Sequence, residues 1–309
     1  MRVFTGQSDP AEVERALAAG DPLWLDAPEE RLDLDGPLAR AVGLDKGRLE
    51  RLRQRGERPG LIVEDDRGAV MYAGAVRTPE GGVAPVDTLL FVAPGVLVTL
   101  RDTTCQPLDE LRAAVAAGSR TVDAVLVLNV LTGTLLSVTE EIQDEVDGIE
   151  NRVLDGNTED VLRRIRLLRQ GLATVLRVAR SQRVLVATAT DELAELPGLE
   201  GTPQRRARDL GVHLALAADL AESTRQSIGE ALDLSLSLTS NRLGAAAERL
   251  SVIATVVLPA TVVSGFFGMN FMWMTDRLDS FWSFLVLGVG GVGVSILATR
   301  LYLRSRRLD

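Results

Sequence analysis

The chain is poor in the side chains on which many enzymes and metal centres depend. It has one cysteine, Cys105, and one histidine, His213, in 309 residues. A single cysteine cannot form an internal disulfide or a cysteine-based zinc site. A Ser-His-Asp triad and a histidine-rich metal centre lack the necessary residues, and no nucleophile and base stand in a recognisable pattern. We therefore expect no enzymatic activity and no resident cofactor.

Two further features bear on location and partners. The first residues lack the apolar core of a signal peptide, which indicates that residues 1–249 stay in the cytoplasm. The formal net charge is −9, and the C-terminal tail is basic, so the negative charge is concentrated in the N-terminal part. An acidic surface argues against nucleic acid as a partner and suits a cation.

Two segments near the C-terminus contain no Asp, Glu, Lys or Arg. They are Leu250–Thr275 and Ser280–Thr299. Each is long enough to cross a hydrocarbon core of about 30 Å as a helix, and the alternative is a buried hairpin in a soluble protein. The arginines that follow the second segment predict a cytoplasmic C-terminus, by the positive-inside rule. Two spans then place both termini in the cytoplasm of a multi-pass protein of the inner membrane.

The central part of the chain reads as long helices. No proline interrupts the sequence between Pro203 and Pro259, which predicts one helix from Thr202 to about Met269, a stalk that continues into the first span. Upstream, an acidic segment with six carboxylates between Glu140 and Glu150 precedes a segment with seven arginines between Arg163 and Arg183. A short connection makes these an antiparallel pair. The acidic run either attracts cations or balances the basic helix.

Residues 1–105 have a different pattern. Short β-rich runs such as "GLIVED" and "GVLVTLRD" alternate with turn residues, and helical patterns fall at 9–19 and 45–55. The fold class is therefore an α+β cytoplasmic domain, a long helical stalk and two C-terminal transmembrane helices. The predicted units are the α/β domain 1–105, a helical hairpin 106–201, the stalk 202–249, the spans 250–271 and 280–303, the external loop 272–279 and the basic tail 304–309.

The stretch "GFFGMNF", from Gly265 to Phe271, closes the first predicted span. A bare Gly-Met-Asn tripeptide is a weak motif, but here it ends the penultimate span. Together with "LSVIATVVLPATVVSGFFGMNF" and the order of the units, it resembles the CorA superfamily of divalent-cation transporters over the whole chain. The resemblance implies a homopentameric funnel in membrane lipid, with five first spans lining an axial pore.

The same resemblance assigns roles to the motif. Asn270 would place a ring of amide oxygens at the outer mouth, where they meet the water shell of the ion, because Mg²⁺ dehydrates reluctantly. Gly268 would let the backbones approach closely and Met269 would pack behind them. The alternative is that Asn270 is only a helix C-cap.

Other positions match the family in the same register. Thr261 matches a pore-facing threonine ring, and Leu258 and Leu250 match hydrophobic constrictions; helix or lipid packing is the alternative for either leucine. Asp276 and Asp279 stand in the external loop and would concentrate cations there, or are simply solvated.

Two departures from the family concern the cytoplasmic side. The inner asparagine of the pore aligns with Gly244, and Asn241, one turn away, is a substitute. Asp209 matches one aspartate of a regulatory metal pair, but its partner position falls at about Arg51, beside Glu50. Either Glu50 serves as the second ligand, or cytoplasmic metal does not close the pore.

The sequence therefore predicts transport of Mg²⁺, with Co²⁺ and Ni²⁺ as surrogates, through an axial pore. A zinc transporter of the same superfamily is the nearest alternative. Alternatives of other classes are a non-conducting, membrane-anchored oligomeric sensor or scaffold and a membrane-bound enzyme. The apparent dinucleotide motif "GVGGVG", from Gly288 to Gly293, lies inside the second span, where its glycines allow close helix packing.

Overall fold

The computed structural model divides into two compact units, Met1–Leu234 and Ser235–Asp309. The structure describes residues 1–28, 30, 33, 36–44, 47, 50, 59–64, 66–101, 103–155, 159–199, 203–269 and 280–305.

The first unit is built on a six-stranded mixed sheet with the order β1-β2-β6-β5-β4-β3. The strands are β1 (Arg2–Thr5), β2 (Leu23–Ala27), β3 (Gly60–Glu64), β4 (Arg67–Arg77), β5 (Val83–Ala93) and β6 (Val96–Leu100). β1, β2 and β6 run parallel to one another, whereas β3, β4, β5 and β6 pair antiparallel in sequence order. The strand pattern predicted from the sequence is thus confirmed for β2 to β6, and β1 was missed.

Short helices cover one face of the sheet. α1 (Pro10–Ala18) connects the parallel strands β1 and β2, and its N-cap Asp9 accepts a hydrogen bond from Ala11 N. α2 (Pro37–Ala41) was not predicted. Most of the predicted helix at 45–55 lies outside the described residues. The apolar core on this face is formed by side chains from both helices and from alternate strand positions, including Phe4, Val13, Leu38, Ala69, Phe91 and Val98.

Longer helices follow the sheet in the chain. They are α3 (Gln106–Ala116), α4 (Ala124–Asp155), α5 (Glu159–Thr188) and the short α6 (Thr190–Ala194). Glu145 of α4 pairs with Arg164 of α5, and Ile142 approaches Gly171, so the two long helices are antiparallel, as predicted. They cover the second face of the sheet, where Tyr72 Oη and Thr132 Oγ1 lie 2.7 Å apart.

β4 and α4 approach each other closely at Gly74. A Cβ added to Gly74 would lie 2.5 Å from Thr134 Oγ1 and 3.2 Å from the carbonyl oxygen of Leu131. Thr134 is already fixed there, because its hydroxyl accepts a hydrogen bond from Ala75 N and donates one to the same carbonyl. The absence of a side chain at Gly74 is therefore what lets the helix lie directly on the strand.

We predict that Gly74→Ala destabilises the protein by about 1–3 kcal/mol, because the new methyl group forces the buried helix and strand apart. The matched control is Gly133→Ala on α4, where an added Cβ meets no atom within 4 Å. The control should be neutral or stabilising by up to about 1 kcal/mol, since alanine favours a helix over glycine. Thermal unfolding of both purified variants measures the difference, and equal midpoints would contradict the packing argument.

One carboxylate joins the beginnings of two helices. Asp123, the residue before α4, accepts a hydrogen bond from Leu126 N at 2.9 Å and so caps that helix. The same carboxylate binds both terminal nitrogens of Arg206, at 2.6 and 2.8 Å. Arg206 belongs to α7 (Pro203–Phe267), a single helix of 65 residues that begins in the first unit and ends in the second.

The length of α7 confirms the predicted continuity of the stalk and the first apolar segment, and corresponds to about 100 Å of helix. The second unit also contains α8 (Phe281–Ser283), a π-helical segment (Phe284–Val289) and α9 (Gly290–Ser305). Within this unit a Cβ added to Gly291 would lie 3.9 Å from a methyl of Val263 on α7. Gly291 therefore lies beside α7, whereas a Cβ added to Gly293 would meet no atom within 4 Å, so close helix packing along the whole glycine-rich stretch stays a prediction.

Candidate functional site

The last third of α7 is an apolar helix, and most of its side chains are exposed in the part of the chain that the structure describes. Among the described helices, α7 and α4 are long and apolar enough to cross a membrane. In α4 56% of the apolar window is buried and it packs on the sheet, whereas none of the window in α7 is buried. A third apolar stretch, Leu285–Ala298, is shorter. α4 is thus a core helix, and α7 is the one that needs an external apolar environment or further copies of itself.

Three of the predicted pore residues share one side of α7. At about 100° per residue, Leu250, Leu258 and Thr261 fall within an arc of about 80°. The two leucines are 67% and 62% exposed. The Thr261 hydroxyl donates to the carbonyl oxygen of Val257 at 2.8 Å, so its own lone pairs remain directed outward from the helix.

The two residues predicted for the inner end of the pore, Asn241 and Gly244, lie elsewhere around the helix. Asn241 and Gly244 are exposed, and a Cβ added to Gly244 would meet no atom within 4 Å. In a straight helix Asn241 points about 140° away from the middle of the arc that holds Leu250, Leu258 and Thr261. A single straight α7 therefore does not bring the inner amide onto the same face as those three side chains.

The helix ends at the Gly-Met-Asn motif. Gly268 N donates to the carbonyl oxygen of Ser264 at 2.9 Å and Met269 N to that of Phe266 at 3.3 Å, which closes the final turn. The Met269 side chain is 58% exposed. Asn270, Asp276 and Asp279 lie outside the described residues.

The predicted cytoplasmic metal ligands are apart from any cluster of acids. Asp209 is exposed on α7, with Arg205 Nε 4.0 Å away, and Glu50 is exposed in the first unit. Arg51 lies outside the described residues. Among the described residues no group of three or more His, Cys, Asp or Glu side chains is placed to hold a metal ion. His213 belongs to no such group. Its Nδ1 lies 3.3 Å from Asn129 Oδ1 on α4.

The acidic run of α4 is partly neutralised by arginines. Glu145 binds Arg164 and also accepts a hydrogen bond from Arg77 Nη2 at 2.7 Å. Burial opposes ionisation of Glu145, but these arginines outweigh it and hold the pKa of the carboxyl below its ordinary value. Glu145 therefore balances the charge of neighbouring arginines. Glu140 and Asp144, in contrast, face solvent.

A cavity that sequence reasoning missed lies at the carboxyl ends of β1, β2 and β6. It has a volume of about 480 Å³ and is lined by Asp26, Arg101, Asp109 and Arg112, among others. Asp26 is only 3% exposed, and its carboxylate accepts hydrogen bonds from both arginines at 2.6 to 3.0 Å. Arg101 Nη2 also binds Asp109 Oδ1 at 2.5 Å. One indication of this cluster is present in the sequence: a charged residue stands at or just after the end of each of two apolar strands, Asp26 in β2 and Arg101 after β6.

The four charges of this cluster cancel. Burial opposes ionisation of Asp26, but Arg101, Thr99 and Arg112 outweigh it, so its pKa lies below the ordinary value of 3.8. The reciprocal interaction with Asp26 and Asp109 raises the pKa of Arg101 against the effect of burial. The cluster therefore clamps β2 and β6 to α3, and its arginines are committed to carboxylates of the same chain.

Comparisons with known proteins place these features in a family. Residues 19–306 match the family described as "CorA-like Mg2+ transporter protein". The "Cobalt/magnesium transport protein CorA" of Thermotoga maritima is 29% identical over 166 residues, which cover 53% of this chain and 46% of that protein. The chain thus spans less than half of this relative in the alignment.

Solved structures agree on the fold. The complete CorA magnesium transporter from Methanocaldococcus jannaschii superposes with a TM-score of 0.70 at 16% identity, over 98% of this chain and 89% of that one. The ZntB cytoplasmic domain from Vibrio parahaemolyticus gives 0.53 at 17% identity, over 71% of this chain and 87% of that domain. At such identities the likeness shows the fold alone. The family match, however, covers most of the sequence, and the chain belongs to the CorA-like Mg²⁺ transporter family.

Proposed function

We propose that this chain transports a divalent cation across a membrane through a pore formed by several copies of α7. The observation that carries the proposal is the apolar last third of α7. It is uncharged from Leu250 onward, largely exposed among the described residues, and followed by the Gly-Met-Asn motif. Its family membership and the relatives named for cobalt and magnesium transport support the same function.

The pore requires more than one chain. A single α7 encloses no pathway, and its exposed leucines need either lipid or neighbouring copies. A homopentamer in which the Leu250, Leu258 and Thr261 side of each α7 faces an axis provides two apolar constrictions and a hydroxyl ring. Apolar constrictions gate by dewetting, and hydroxyl or amide oxygens receive the water shell of Mg²⁺, which is released reluctantly.

The outer part of the proposed pore is formed by the motif and the loop after it. Asn270 supplies a neutral amide ring that attracts the ion without trapping it, and Asp276 and Asp279 raise the local cation concentration. The membrane potential then drives entry, because it contributes about 2.3 kcal/mol per charge for each 100 mV. On this proposal both termini lie in the cytoplasm.

The ion is tested by uptake into liposomes that contain the purified protein. We predict entry of Mg²⁺, with Co²⁺ and Ni²⁺ competing, that follows an imposed inside-negative potential and does not need a pH gradient. Empty liposomes and liposomes with the heat-denatured protein are the controls. No uptake of any divalent ion at a verified protein density would favour the non-conducting sensor or scaffold.

A zinc transporter of the same superfamily is the second candidate, and the observation that favours it is the arginine, Arg51, near the position where an acidic partner of Asp209 is expected. It predicts that zinc enters faster than magnesium and that a pH gradient changes the rate. The same liposomes decide between the two ions when both are measured side by side.

Regulation by cytoplasmic metal through Asp209 and Glu50 stays a prediction. The Arg205 side chain beside Asp209 opposes a divalent cation there. We therefore expect at most a weak effect of millimolar Mg²⁺ on the protection of α7 from protease, and a strong effect that is lost in Asp209→Ala would contradict this.

A further inference from the structure

The outward side of α5 is strongly basic. Six of its seven arginines are exposed, and no Asp or Glu occurs between Val161 and Ala189. We call this surface the basic face; its members are Arg163, Arg166, Arg169, Arg177, Arg180 and Arg183. The seventh, Arg164, is turned the other way and pairs with Glu145. One arginine of α5 thus forms an ion pair inside the chain, and the other six are exposed on its outer side.

Part of the basic face has no ion-pair or hydrogen-bond partner among the described residues. Arg180 Nη2 lies 3.0 Å from Glu222 Oε2 on α7. By contrast, Arg163, Arg166 and Arg169 make no ion pair or hydrogen bond with any residue that the structure describes. The unused positive charge is therefore concentrated in the first half of α5.

The outward side of α4 carries the opposite charge. Glu140, Asp144 and Asp147 are exposed at helical spacing, and we call them the acidic face. Asp147 accepts a hydrogen bond from Gln143 at 2.9 Å. Glu140 and Asp144 make no ion pair or hydrogen bond within the described part of the chain.

The two faces lie at the same level of the antiparallel pair, one on each helix. The Glu145–Arg164 ion pair fixes the level, since Asp144 and Arg166 are one and two residues from it. Glu140 lies about 140° around α4 from Glu145, and Arg166 lies about 200° around α5 from Arg164. Each face therefore points away from the Glu145–Arg164 ion pair and from the β4–β5 turn that the pair contacts.

This arrangement fits a second copy of the chain. Copies related only by rotation about an axis parallel to the pair meet at equal levels, so one copy's acidic face is brought opposite the next copy's basic face. Such a head-to-tail contact repeats around a closed ring, in which every copy uses both its acidic face and its basic face.

We propose that the acidic face of α4 in one copy docks on the basic face of α5 in the next. This inference rests on the proposed oligomeric transporter and names the contact that joins its cytoplasmic parts. Because the pairs are exposed, salt screens the attraction, and the contact weakens as ionic strength rises.

Cysteine cross-linking tests the contact without removing any of its charges. Ser137 and Ala173 are exposed on the two faces at matching levels, and the native Cys105 is fully buried. The full-length variant Ser137→Cys with Ala173→Cys is treated in mild detergent with a short bis-maleimide. We expect a ladder of covalently joined chains that fades at high salt. The control, Glu14→Cys on α1 with Ala173→Cys, should give no ladder.

Charge exchange provides the second measurement. In the cross-linking background, Arg166→Asp alone should reduce the yield severalfold, and adding Asp144→Arg should restore it. A mass measurement accompanies each sample. An intact oligomer without a ladder overturns this contact and leaves the proposed transporter standing, whereas a monomer overturns both. If Arg166→Asp lowers binding to vesicles of anionic lipid and leaves the ladder unchanged, the basic face serves lipid and the contact is also overturned.

Discussion

Asn270→Ala is expected to abolish divalent-cation uptake and to leave the oligomer intact. The substitution removes all the amide oxygens that would meet the hydrated ion at the outer mouth, and every copy loses its amide at once. The structural cost is small, because at most one helix cap is lost, which is worth about 1 kcal/mol. Liposome uptake at matched protein density, together with the mass of the detergent-solubilised oligomer, measures the two effects separately.

Asn270→Asp sharpens this test, because it preserves the shape of the side chain and changes its charge. A ring of carboxylates holds a divalent ion too tightly or becomes partly protonated, since neighbouring like charges raise their pKa values. We expect slow flux and stronger block by other divalent ions. Uptake at the wild-type rate in both variants would show that Asn270 is only the cap of a helix.

The second large effect is expected in the first unit, Met1–Leu234. Asp26→Asn should destabilise the fold by about 3–5 kcal/mol, because the amide cannot neutralise the arginines and leaves a buried charge without compensation. Arg101 is the residue most affected, since two of its nitrogens bind the Asp26 carboxylate. The matched control is Asp21→Asn, whose surface pair with Arg2 spans 3.0 Å. That change should cost less than about 1 kcal/mol.

The same carboxylate predicts a dependence on pH. Since the folded-state pKa of Asp26 lies below 3.8, its stabilising contribution is complete above that value and is lost as pH falls through the lower folded pKa. The wild-type protein should therefore lose stability in this acid range more steeply than Asp26→Asn. Thermal unfolding midpoints measured from neutral pH to about pH 3 compare the slopes. Parallel curves would show that Asp26 does not carry the charge in the folded protein.

The sequence predicted those helices and strands whose residues form a recognisable pattern over a short stretch of chain. The long helix α7 follows from the spacing of prolines, and strands such as β4 follow from β-rich runs between turn residues. β1 was missed because four residues at the edge of the sheet carry too short a pattern. The helix α2 was missed for the same reason, because five residues carry too short a pattern.

The buried cluster escaped prediction for a different reason. Asp26 and Arg101 are 75 positions apart, and no local periodicity relates two residues at the ends of different strands. The site residues on α7 were predicted only through the motif and its register, which a family resemblance supplies. Spacing alone places Leu250, Leu258 and Thr261 on one side, but it does not say what that side faces.

The position of Asp123 has a consequence for how the protein is made. All six strands and α3 precede Asp123 in the chain, and its partner Arg206 follows 83 residues later. At about 5–20 residues per second of synthesis, roughly 4–17 s separate the appearance of the two side chains. Asp123 can thus cap α4 while the sheet is already being assembled on the ribosome. The apolar end of α7 is synthesised later still. By then Arg206, near the start of the same helix, can already bind Asp123.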